Sequence, residues 1–144
     1  MRFVGAVVAW IFASLITFVA GIGAGQNVAL NEIAALGAPM PIDVRFHSVI
    51  ETLMGTTSYA VVVAIGFAIA FYVASLVKAL LPALAIIAYP LAGGLAIAVA
   101  LEIMRLNFGI YPLPGAEATL GYALHVAAGA IGGVIFEVFR PRRR

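Results

Sequence analysis

Long apolar stretches alternate with short polar ones along this chain, and their spacing predicts helices that cross a bilayer. Residues 3–22 (FVGAVVAWIFASLITFVAGI) form an unbroken apolar run directly after Arg2. A hydrocarbon core takes about 20 apolar residues per helix, so this run is long enough to span. Gly23, Ala24 and Gly25 follow it, as small residues would at a signal cleavage site. The apolar core is nevertheless longer than the roughly 7–15 residues of a secretory signal, and the run is read as a retained first span.

Residues 23–57 read as an outer loop. They gather Gln26, Asn27, Asn31, Glu32, Asp43, Arg45, His47, Ser48 and Glu51, and Pro39 and Pro41 divide them. The second part carries Phe46, Val49, Ile50, Leu53 and Met54 at the spacing of one helical face. With Asp43 as N-cap, this predicts a short amphipathic helix on the bundle or in the headgroup layer. Gly55, Thr56 and Thr57 mark its weak junction with the next span.

The second span is predicted at 58–77, with Tyr59 and Tyr72 toward its ends, where amphipathic rings favour the interface. Lys78 marks a tight turn, and the third span is predicted at 79–101. Pro82 then falls in its first turn and Pro90 at its middle, where a missing N–H predicts a kink. Residues 102–117, with Pro112 and Pro114, read as the second outer loop. The last span is predicted at 118–139, ahead of Arg140, Pro141, Arg142, Arg143 and Arg144. The expected fold is a single all-α domain, a four-helix transmembrane bundle.

Basic residues orient it. Six of the eight Lys and Arg (Arg2, Lys78, Arg140, Arg142, Arg143, Arg144) fall at the ends that become cytoplasmic if both termini are inside. Cytoplasmic loops carry the excess of Lys and Arg, so both termini are expected in the cytoplasm, consistent with a bacterial inner membrane. Five of the six acids (Glu32, Asp43, Glu51, Glu102, Glu117) then lie at the outer side.

Composition agrees with the pattern: 65% of residues are hydrophobic and 10% charged, and mean hydropathy is +1.16. A soluble domain is nearer half apolar and a quarter charged. With no cysteine, thiol catalysis and Cys-based metal or iron–sulfur sites are excluded. A net charge of +2 gives no reason to expect a nucleic-acid partner. Phosphate-binding glycine loops, HExxH and GxSxG are missing. His47 and Glu51, at i, i+4, suit a surface ion pair better than a metal site, which takes three or four ligands. No metal or cofactor is therefore expected.

His125 is the most informative residue. It lies about seven residues into the last span, roughly 10 Å below the outer boundary at 1.5 Å per residue. Polar groups at that depth face the bundle interior and pair. Its partner is expected to be a backbone carbonyl, Ser14, Thr17, Tyr89 or Glu102. Gly129, Gly132 and Gly133 share its helical face, and small residues let a second helix approach closely. Gly21 with Gly25, and Ala92, Ala96 and Ala100, offer similar contacts on the first and third spans. Glu137 with Arg140, and Glu102 with Arg105, are spaced for i, i+3 ion pairs. The tail arginines Arg140, Arg142, Arg143 and Arg144 suit anionic lipid heads or an acidic partner.

These features predict a non-catalytic accessory, assembly or scaffold subunit, working with other membrane subunits or with copies of itself in the lipid bilayer. An oligomeric transporter or channel using His125, and a haem-bearing electron-transfer subunit using His125, are the alternatives.

Overall fold

The computed structural model describes residues 2–141, which are all-α apart from turns and loops. Five α-helices follow one another: α1 Arg2–Ala35, α2 Ile42–Gly55, α3 Thr57–Leu80, α4 Ala88–Phe108 and α5 Thr119–Phe139. Of these, α1, α3, α4 and α5 are long and apolar enough to span a membrane. The chain is an integral membrane protein by that measure.

The first helix does not stop where the apolar run ends. At 34 residues it is about 51 Å long, well beyond a hydrocarbon core of about 30 Å. Gln26, Asn27, Asn31 and Glu32 end the apolar segment, but none of them breaks a helix. Gly37, at φ +93°, does, and Pro39 follows. The predicted loop 23–57 is thus mostly helix: the C-terminal part of α1, residues 36–41, then α2. Helix α2 starts at Ile42 with Pro41 as N-cap residue, so Asp43 sits in the first turn and makes no side-chain cap bond. There its carboxylate still complements the helix dipole. Thr56 alone separates α2 from α3, at the predicted junction.

The third span starts later than predicted. Leu81 precedes a proline, which disfavours α geometry, and it adopts φ −128°, ψ 81°. That ends α3 beyond Lys78. Pro82–Leu84 make a 3-10 turn, and α4 begins only at Ala88. The connection was hidden because residues 79–87 are all apolar or proline. Pro90 is consequently the third residue of α4, and the predicted kink has no basis. In the first turn the missing N–H would have had no intrahelical partner. Helix α4 runs on to Phe108, past the predicted 101, and Gly109 ends it in the left-handed conformation at φ +74°. Glu102 and Arg105 therefore lie inside a helix, and the α4–α5 loop, expected on the outer side, shrinks to 109–118.

Helix α5 packs between α1 and α4, while α3 closes the bundle against α4 and, more loosely, α1. Large side chains fill the space toward α3. Phe71 stacks on Phe136 with ring centroids 4.4 Å apart, and Phe67 lies 4.7 Å from Phe71. Trp10 reaches from α1 to donate its indole N–H to Ala64 O of α3 at 3.0 Å. Gly5, near the start of α1, lies against Pro141, and Lys78 pairs with Glu137. Both ends of the described chain and the α3–α4 connection thus share one end of the bundle.

Candidate functional site

Helix α5 owes its central place to small residues, which form two seams rather than one face. Along the first, Gly121, His125, Ala128 and Gly132 meet α1 and the α4–α5 loop. A Cβ at Gly132 would strike Thr17 Oγ1 and the Phe67 ring, and Thr17 donates to Ala128 O at 3.2 Å. Along the second, Gly129 and Gly133 meet α4. A Cβ at Gly93 would strike Gly129 O, and one at Gly133 would strike Tyr89 O. Backbone lies on backbone here, as small-xxx-small contacts allow. All four expected residues, His125, Gly129, Gly132 and Gly133, are buried, and their close neighbours belong to the same chain.

His125 is fully buried. Its imidazole fills a notch in α1 made by Gly21 and Gly25, where any Cβ would press on the ring. The ring of Tyr59 from α3 closes another side, perpendicular to the imidazole with centroids 6.4 Å apart. Nε2 lies 3.3 Å from Pro114 O. A carbonyl only accepts, so Nε2 carries the proton and Nδ1 presents a lone pair. Nδ1 is buried and meets no donor. Of the expected partners, Ser14 bonds Trp10 O of its own helix, and Tyr89 and Glu102 are engaged elsewhere. A backbone carbonyl is the partner, supplied by a loop.

That loop is wedged in place by glycine. Gly115 sits at φ +69°, in a conformation L side chains avoid. A Cβ on Gly115 would strike Gly25 O, and one on Gly121 would strike Gly115 O. Three backbones from α1, the loop and α5 thus touch in sequence. Leu113 and Ala116 are buried alongside. Sequence alone does not reveal this role for Pro114 and Gly115: a Pro-Gly pair signals a turn, not where the turn lands.

The loop's other anchor is Tyr111, which donates to Glu102 Oε1 at 2.8 Å. Arg105 binds Glu102 Oε2 at 2.8 Å, the predicted i, i+3 pair. The hydrogen bond to Glu102, followed by burial, holds the Tyr111 phenol above its ordinary pKa. Beside the loop lies an open vestibule of about 530 Å³, whose wall includes Gln26, Glu32, Thr52, Tyr111, Pro114 and Glu117. Gln26 bridges α1 to α2 through Ser48 Oγ at 2.6 Å. His47 and Glu51 pair at 3.0 Å on the exposed face of α2. Among the described residues, no three His, Asp or Glu side chains converge as a metal site would require.

At the opposite end, Lys78 Nζ lies 2.8 Å from Glu137 Oε1, and Arg140 Nε lies 3.3 Å from Glu137 Oε2. The second contact is ionic but off hydrogen-bond alignment. Arg140 also donates to the Tyr89 hydroxyl, and both cations lie over the Tyr89 ring, at 4.8 and 4.7 Å from its centroid. Arg140, expected to face lipid or a partner, is thus half-buried in a network that joins α3, α4 and α5. Arg142, Arg143 and Arg144 lie outside the described residues.

An open groove of about 1040 Å³ runs between α3 and α4. Ala88, Ala92, Ala96 and Ala100 of α4, with Gly66, Ala70 and Ala74 of α3, contribute its small side chains. Leu91, Leu95, Ile65 and Ile69 are among its larger ones. Comparison with known protein families, curated proteins and solved structures gives no match.

Proposed function

We propose that this chain is a non-catalytic accessory or scaffold subunit of a membrane complex, and that the α3–α4 groove receives a single transmembrane helix of its partner. The observation that carries the reading is a contrast between two sets of small residues. The glycines of α5 are consumed within the chain by α1, α4 and the outer loop. The alanine row of α4, though partly packed against the core, also lines an open, almost wholly apolar channel. A Cβ on Gly66 of α3 would meet Ala96 Cβ of α4 at 3.9 Å, so small residues of both helices make a shallow floor that a third helix can approach from outside. Close approach of small-residue faces is what holds helices together in lipid, where no hydrophobic force does.

The apolar connection at 81–87 extends this surface, since Leu84 lines the groove and Ile86 is 84% exposed. Lys78 and Arg140 at the same end favour a cytoplasmic placement of both termini. A plasma or inner membrane suits helical spans, whereas outer membranes are crossed by barrels. His125 lends no support to transport or haem binding, because one ring nitrogen is bonded to Pro114 and the other looks onto Gly21.

The test is purification in mild detergent followed by native mass spectrometry, on wild type and on Ala92→Leu and Ala96→Leu. A complex, with a partner or with further copies, is expected for wild type and should be lost when leucine fills the groove. Monomeric wild-type protein carrying only lipid would sink the reading, as would complexes indifferent to both leucines.

A further inference from the structure

We propose that the outer loop 109–118 is a latch that acid opens through His125, joining the vestibule to the buried imidazole. The notch has a place for one ring proton only. With Nε2–H given to Pro114 O, a second proton at Nδ1 would point at Gly21 and meet no acceptor. No element around the ring supplies a counter-charge. On α1, Gly21 and Gly25 have no side chain and the Thr17 hydroxyl is committed to Ala128 O. From α3 comes the phenol ring of Tyr59, perpendicular to the imidazole and uncharged. On α4, Glu102 is held by Arg105 and Tyr111. Glu137, the acid on α5 itself, is paired with Lys78 and Arg140.

An imidazolium confined there would be a buried charge with one of its two N–H groups unpaired, which costs several kcal/mol. The nearest relief is through the latch. Pro114 separates the imidazole from the vestibule, whose wall holds Glu32 and Glu117. Once the loop lifts, Nε2–H can reach water, the ring is free to turn Nδ1–H away from Gly21, and the positive charge can face those carboxylates. The proton comes from bulk water, is taken up at Nδ1, and is returned when the loop closes. Acid therefore favours the open loop, and neutral pH the closed one.

The chain has no cysteine, so single reporters are unambiguous. Ala116, 1% exposed in the loop, becomes Ala116→Cys; exposed Thr119, at the start of α5, becomes the control Thr119→Cys. Each full-length variant in liposomes is labelled with a membrane-impermeant maleimide between about pH 8 and about pH 5, the range where histidine ordinarily titrates. The ratio of the two rates removes the pH dependence of the thiol itself. It should climb toward acid by up to about ten-fold per pH unit, the limit for one linked proton. His125→Gln keeps an N–H donor for Pro114 but cannot titrate, and should flatten the ratio. A flat ratio in wild type overturns the latch. An equal climb with His125→Gln also overturns it and assigns the response to Glu102 or Glu117. If His125→Gln fails to assemble, ¹⁵N NMR of the wild-type imidazole decides. Protonation at Nδ1 and the rise in labelling must share one midpoint, and separate midpoints refute the proposal.

Discussion

The Nε2–H of His125 donates to Pro114 O at 3.3 Å, so the last span holds down the loop that leads into it. The bond closes the loop over the N-terminal end of α5, and it is one of few polar contacts in an apolar bundle. Replacing His125 with leucine leaves the Pro114 carbonyl without its donor. The expected cost is about 1–3 kcal/mol, the penalty for an unsatisfied buried acceptor. His125→Gln should recover most of it. Thermal unfolding in detergent checks the loss, and limited proteolysis should place its first consequence in residues 109–118. Equal stability of the leucine and glutamine variants would show that the bond contributes little.

Glycine seams predict a sharp contrast between positions. Gly93→Ala, Gly129→Ala and Gly133→Ala each drive a methyl into backbone across the α4–α5 contact. Overpacking of this kind costs about 1–3 kcal/mol, and here rigid backbone leaves little room to relax. Gly23→Ala is the counterpart. Gly23 lies within α1, and a methyl added there would meet nothing within 4 Å, so alanine should be neutral or stabilise by up to about 1 kcal/mol. Chemical or thermal denaturation of the four variants settles the order. A destabilised Gly23→Ala, or three silent seam variants, would contradict the packing described.

Most of the bundle could be read from the chain, because apolar runs of span length have few other uses. What the runs could not show were helix ends set by something other than polarity. Pro82 ends α3 inside an apolar stretch, whereas the polar Gln26 and Asn31 do not end α1. The same limit moved Pro90 from mid-span to the first turn. At the candidate site, burial of His125 and the glycines followed from depth and spacing. Its partner did not, because a backbone carbonyl supplied by a returning loop leaves no trace in residue type. The division of α5 into two seams was equally hidden, since His125 and Gly129 lie on one face yet meet different helices.

The Lys78–Glu137–Arg140 network should behave as a partly buried ion pair. The side chains of Lys78 and Glu137 are 15% and 23% exposed, between the exposed pairs worth about 0–1 kcal/mol and buried ones whose disruption costs about 3–5. Glu137→Gln, which leaves Lys78 and Arg140 without their anion, should therefore lose about 1–2 kcal/mol. Replacing Lys78 by methionine and Glu137 by leucine together should recover part of that, since neither charge is then stranded. A double-mutant cycle on thermal stability measures the coupling. Additive single effects would show that the two residues do not depend on each other.

Alkaline pH should release the loop's other anchor. In the folded chain the Tyr111 phenol is raised above its ordinary value, chiefly because it donates to Glu102. In the unfolded chain it ionises near about 10. Folding therefore favours the protonated phenol, and its contribution is complete below about pH 10 and lost as pH rises through the folded value. Difference absorbance of phenolate, wild type minus Tyr111→Phe, isolates this one titration among five tyrosines. Its midpoint should lie above the ordinary tyrosine value. In Glu102→Gln it should fall, because the accepting carboxylate is gone while Arg105 remains 5.7 Å from the ring centroid. Proteolysis of residues 109–118 should accelerate over the same alkaline range in wild type. An ordinary midpoint in wild type, or one unmoved by Glu102→Gln, would show that Tyr111 does not fasten the loop through Glu102.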